Sequence, residues 1–153
     1  MLMNEFNERS PIRLPEYDYS QNGCYFVTVC AKEHQALFRN ANNFSELSEY
    51  GVYVKMAIQS IPVHYPNVTV DVYVIMPNHI QLILTISNGE NCGKSISTII
   101  GQLKRWVSKQ SGFSVWQKSF YEHIIRNETD YLETRQYILN NPLRWKLKHG
   151  LDE

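Results

Sequence analysis

The stretch Val70 to Ile86, VDVYVIMPNHIQLILTI, constrains the fold of this chain more than any other. Two apolar runs rich in Val and Ile flank Met76-Pro77-Asn78. Pro fixes φ and Asn tolerates unusual backbone angles, so the middle reads as a turn and the runs as adjacent strands. Side chains alternate along a strand, which predicts His79 and Gln81 on one face and Ile80 and Leu82 on the other. Two polar, metal-capable groups side by side on an apolar strand need partners or a task, because burying them unpaired is costly.

The rest of the chain supplies the layers. Cys24 to Ala31 reads as a first strand, with Phe26, Thr28 and Cys30 sharing one face and Tyr25, Val27 and Val29 the other. A loop over 32–43 leads to a helix over 45–61, capped by Ser45 or Ser48 and stopped by Pro62. The two central strands span 67–75 and 79–86. After a turn-rich loop over 87–94, a second helix spans 95–110, with Ile96, Ile99, Leu103, Trp106 and Val107 at helical spacing and Gly112 after it. Residues 115–126 read as a short strand and turn. Asn127 or Thr129 caps a last helix over 130–140, with early acids suited to a helix N-terminus, and Pro142 ends it. The order β-α-β-β-α-β-α predicts an α+β fold: an antiparallel sheet with helices packed on it.

With 153 residues and no internal repeat or linker, one domain spanning 1–153 is expected, with an extended arm over 1–22 and a basic tail over 143–153. Three cysteines without a CxxC spacing argue against a disulfide framework or a thiolate zinc site and favour a reducing cytoplasm. The first twenty residues lack the apolar core of a signal peptide. No run of about 18 apolar residues exists, so no membrane span is expected. Lys+Arg and Asp+Glu are 15 each, so overall charge announces no polyanionic partner. The cations are unevenly spread, however. Lys104, Arg105, Lys109, Lys118, Arg126, Arg144, Lys146 and Lys148 all follow residue 100, interleaved with Trp106, Trp116, Phe120, Tyr121 and Trp145. Cations for phosphates and rings for bases suit single-stranded nucleic acid; a solvated helix face beside ordinary core aromatics is an equal reading.

Four residues are candidates for chemistry. Tyr137 and Asn141 are four apart on the last helix and project from one face. The phenol is a potential covalent nucleophile and the amide a ligand or orienting group, although a Tyr at helical spacing is more often core. His79, Gln81 and Asn141 together would offer one imidazole nitrogen and two amide oxygens. That donor set suits a hard divalent ion such as Mg²⁺ or Mn²⁺, with a substrate phosphate supplying the missing negative charge.

Taken together, IRLPEYDYSQNGCYFVTV, VIMPNHIQLIL and VWQKSFYEHIIRNETDYLETRQYILNNPLRW resemble the single-tyrosine HUH transposases, nearest to their REP-associated branch. The likeness runs in order from about Arg13 to Trp145. It implies a ferredoxin-like antiparallel sheet and an enzyme that cuts and rejoins single-stranded DNA near hairpins. It also implies a divalent ion on a central strand and a helix-borne tyrosine nucleophile. Tyr137 matches that tyrosine, His79 the first motif histidine and Asn141 the helix-borne ligand. Arg13, Lys104, Arg105, Lys109, Lys118, His123, Arg126, Arg144, Trp145 and Lys146 are the expected DNA contacts. His123 is equally readable as a structural hydrogen-bonding residue, and Glu122 as a group near the metal. Some family members exchange helices between two chains, so a homodimer is one expected assembly.

One departure matters. The second motif histidine is Gln81 here, an exchange of imidazole for a harder, weaker oxygen. The expectation is a shift towards Mg²⁺ or Mn²⁺, or a loss of metal affinity. The alternative to a nicking and joining enzyme is therefore a domesticated hairpin-binding protein with a decayed metal site. An RNA-binding module on the same scaffold is a third reading, separable by its response to 2′-hydroxyls.

Overall fold

Central to the structure is a four-stranded antiparallel sheet in the order β2-β3-β1-β4. The strands are β1 (Gly23–Cys30), β2 (Val68–Ile75), β3 (His79–Ile86) and β4 (Tyr121–Ile125), and the helices are α1 (Glu49–His64), α2 (Ile96–Ser111) and α3 (Glu128–Lys148). The computed structural model describes residues 23–42, 44, 46–87 and 95–150. The expected arm with Arg13, the Ser45 cap and the loop over 88–94 lie outside them.

β1 and β2 run parallel with β3 between them, and β3 and β4 run parallel with β1 between them. These are two interlocked βαβ units, the ferredoxin-like α+β arrangement expected from the element order. The β2–β3 hairpin closes through Met76 N–H to His79 O at 2.8 Å. Its turn is gripped from outside, because Pro77 O accepts from Phe38 N–H and Asn78 O from Ala31 N–H, both at 2.9 Å.

The two faces are unequal. Tyr25, Val27 and Val29 of β1 and Ile80, Leu82 and Leu84 of β3 join α1 and α2 in the large core. On the other face Phe26, Ile83 and Ile138 form a small core beneath α3, flanked by Tyr121, Tyr131 and Tyr137. The alternation read from the sequence is thus realised, with His79 and Gln81 on the α3 side.

Two prolines behave differently from expectation. Pro62 lies inside α1, which runs on to His64, and Pro142 lies inside α3, which runs on to Lys148. An interior proline loses one backbone bond and crowds the carbonyl four residues back, at about 3 kcal/mol. Its φ is nevertheless helical, and at Pro142 packing on both sides of it offsets the loss, whereas α1 ends two residues after Pro62. Ile138 and Asn141 before Pro142 are buried, and Trp145 beyond it is partly so. Residues 143–148, expected as a tail, are therefore the last turns of α3. The helix starts follow hydroxyl and amide caps: Ser48 accepts from Gly51 N–H, Ser95 from Thr98 N–H and Asn127 from Asp130 N–H. Gly112 closes α2 in the left-handed region at φ 88°.

Candidate active site

β3 leaves its hairpin turn with His79 and Gln81 facing α3, opposite Cys30 and Thr28 of β1 in register. α3 crosses this end of the sheet. Residues 137, 141, 144 and 148 fall on one helical stripe, and all four line a cavity of about 420 Å³ shared with His79 and Gln81. The continuation of α3 past Pro142 is what brings Arg144 and Lys148 there.

Inside the cavity the polar groups are linked. Asn141 Nδ2 donates to Gln81 Oε1 at 2.5 Å and lies 3.4 Å from His79 Nε2. Gln81 Nε2 donates weakly to Thr28 Oγ1 at 3.4 Å. His79 Nδ1 lies 2.7 Å from Asn78 Oδ1, so Nδ1 carries the proton and Nε2 presents its lone pair to the cavity. Burial pushes the His79 ring down to about 4, and His34 and Arg144 push it the same way. The imidazole is therefore neutral at physiological pH, the form that ligates metal. The ring of Tyr137 is half-buried, edge-on to Phe26 with centroids 6.4 Å apart. Arg144 lies over the ring, its guanidinium carbon 4.1 Å from the ring centre, and Arg144 Nη2 donates to Tyr137 O at 3.0 Å.

A second phenol on α3, Tyr131, has another role. It donates to Asp71, which lies at the bulge between Val70 and Val72 of β2. That hydrogen bond raises its pKa, with burial and the charge of Asp71 adding to it. Of the two, Tyr137 lines the cavity.

The remaining expected residues are dispersed. Arg144 and Trp145 line the cavity, and Trp145 Nε1 also donates to Ala41 O at 3.4 Å. Lys146 lies over the Phe44 ring at 5.7 Å. His123 pairs with Asp130 at 2.9 Å, joining β4 to the first turn of α3. Arg126 N–H donates to the same carboxylate at 3.3 Å. Lys104, Arg105 and Lys109 belong to α2, on the far face of the sheet. Lys104 Nζ is tied to Gln117 O at 2.8 Å and Lys118 O at 3.0 Å. The basic residues after position 100 therefore do not form one surface with the cavity. Glu122 pairs with Val27 and is buried on the α1–α2 side, which corrects its expected approach to the metal position.

Several cavity residues were missed, His34 and Asn78 among them. His34 reaches the cavity from a short 3₁₀ turn in which Glu33 and His34 both take positive φ, 57° and 55°. Nothing in the sequence announces that backbone. Asn78, read only as a turn former, also fixes the His79 tautomer.

No family model matches the chain. A Haemophilus influenzae protein that carries only the name uncharacterized protein is 35% identical over 164 residues, covering 92% of this chain and 91% of its own length. A second Haemophilus influenzae protein, provisionally named a REP-associated tyrosine transposase, is 29% identical, covering 89% and 77%. An Escherichia coli REP-associated tyrosine transposase is 32% identical over 82 residues, 53% of this chain and 46% of that protein. The relatives that carry a descriptive name are REP-associated tyrosine transposases, and the chain is similar to them. A solved REP-associated tyrosine transposase bound to a REP hairpin shares the fold: it superposes with a TM-score of 0.68 at 24% identity, over 87% of this chain and 74% of that one. Among the described residues, no helix is long and apolar enough to cross a membrane.

Proposed function

We propose that this protein is a REP-associated tyrosine transposase, a single-stranded DNA endonuclease and strand transferase that acts at hairpin-containing sites through a 5′-phosphotyrosine. One observation carries the reading: Tyr137 opens into the same cavity as His79, Gln81 and Asn141. A likeness to a transposase solved with a REP hairpin supports hairpin DNA as the partner.

In this reading the Tyr137 oxygen attacks the scissile phosphorus. The P–O3′ bond breaks, the 3′ oxygen leaves as a hydroxyl with the proton given up by the phenol, and the 5′ phosphate stays on Tyr137. One phosphodiester replaces another, so rejoining needs no nucleotide cofactor. His79 Nε2, Gln81 Oε1 and the Asn141 carboxamide would hold a divalent ion. They fit one in that they converge, and the Asn141 oxygen would face the others if the amide turned about its axis, a near-isosteric exchange. Their oxygens suit Mg²⁺ or Mn²⁺. Such an ion, when bound, supplies Lewis-acid polarisation of the phosphate. Phe26 and Arg144 both pack on the Tyr137 ring, and Asn78 keeps the His79 lone pair turned inward.

The test is incubation with a labelled pool of single-stranded hairpins and Mn²⁺, followed by a denaturing gel. A protein–DNA adduct that disappears in Tyr137→Phe is expected. Salt-sensitive hairpin binding without any adduct would instead favour the domesticated binding protein, for which the direct Gln81–Asn141 bond is the supporting observation.

A further inference from the structure

The charge of the cavity wall is the starting point. Among the described residues it carries no Asp or Glu, but it does carry Arg144 and Lys148. A site that holds a cation with its own side chains commonly puts carboxylates on it. Here the protein contributes neutral donors and positive charge, so the group the wall complements is an anion.

Arg144 is held in place for that purpose. Nη2 spends one hydrogen on the Tyr137 carbonyl, and the guanidinium lies against the Tyr137 ring. These contacts fix a side chain that is otherwise long and mobile. A guanidinium has five N–H donors in a rigid fork, and the exposed position of Arg144 leaves the rest of the fork open to a ligand. We propose that Arg144 seats the scissile phosphate: its fork takes a non-bridging oxygen while its face holds the nucleophile's ring. One side chain then sets the position of both reacting partners. Lys148, one turn further along α3, adds a point charge on the same side. The proposal rests on Tyr137 being the nucleophile.

Two measurements on the full chain separate the proposal from that reading. The first titrates inorganic phosphate into the ¹⁵N-labelled protein and follows the Arg144 Nε–H and the side-chain amides of Gln81 and Asn141. The second measures adduct formation at saturating concentrations of the labelled hairpin pool with Mn²⁺. Phosphate should move the Arg144 signal together with the two amides. Arg144→Gln and Arg144→Lys should both weaken phosphate binding about tenfold or more, since a lysine lacks the fork. Both should slow adduct formation about a hundredfold at saturating DNA, while hairpin affinity changes only a few-fold. Wild-type adduct formation matched by Arg144→Gln, with unaltered phosphate binding, overturns the anchor and leaves the nuclease. Phosphate binding that depends on Arg144, in a wild-type protein that forms no adduct, upholds the anion seat and overturns the nuclease reading.

Discussion

Asn141 of α3 donates to Gln81 of β3 at 2.5 Å, so a helix and a sheet are joined through two carboxamides at the position where a divalent ion is proposed. An amide pair of this kind satisfies itself. A ligating ion would have to exchange that bond for two metal–oxygen contacts. Gln81→His should raise affinity for Mn²⁺ and later transition metals by roughly tenfold, because imidazole is the better ligand for them. Gln81→Leu should remove the bond and strand the buried Asn141 amide, at about 1–3 kcal/mol of stability. Isothermal titration with metal and urea unfolding check the two arms.

His79 makes stability depend on pH. Its ring is held neutral down to about 4, whereas the unfolded chain protonates near the ordinary value of 6.5. Between those values the unfolded state binds more protons. The stabilisation is therefore complete above pH 6.5 and is lost as pH falls through the window to about 4. The loss is bounded at roughly 3–4 kcal/mol, because each tenfold difference in proton affinity between the two states is worth about 1.4 kcal/mol. Urea titrations at pH 7.5, 5.5 and 4 should show it, and His79→Gln should flatten the profile.

The two α3 phenols give opposite expectations. Tyr131→Phe removes the hydrogen bond to Asp71 and should cost about 1 kcal/mol, while adduct formation persists. Tyr137→Phe should leave the melting temperature nearly unchanged and abolish the adduct. Covalent DNA capture that tracks Tyr131 would reverse the assignment.

Lys104 should behave as a structural residue. Burial lowers its pKa, and its ammonium is shared between Gln117 O and Lys118 O. Lys104→Met should cost about 1 kcal/mol, chiefly through the part-buried Gln117 carbonyl, since Lys118 O is open to water, with no change in the salt slope of hairpin binding. A slope that falls by about one would mean that Lys104 meets a phosphate.

Local signals carried the fold. Strand alternation placed His79 and Gln81 on one face, i to i+4 spacing placed Tyr137 and Asn141 on another, and the caps Ser48 and Asn127 are each one of the two residues expected for their helix. What could not be read was anything set by the third dimension. The pairing of Thr28 with Gln81 depends on strand register, and the opposite burial of Glu122 depends on which neighbour β4 chooses. The reach of His34 depends on two left-handed residues with no glycine to announce them. Pro142 misled because a local rule for stopping helices was overridden by packing on both sides of it. Charge counting grouped the cations by sequence position, whereas the sheet separates those of α2 from those of α3.

The small core beneath α3 has a mechanical consequence. Phe26, Ile83 and Ile138 are its fully buried members, against more than twenty buried side chains on the opposite face. The sheet supplies His79 and Gln81, while α3 carries the phenol, the second amide and the guanidinium as a single rod. Tilting that rod would dismantle the whole constellation at once, without disturbing the main body of the protein. Slow hydrogen exchange on the central strands, paired with faster exchange along α3, would mark a reaction centre assembled only while its last layer is seated.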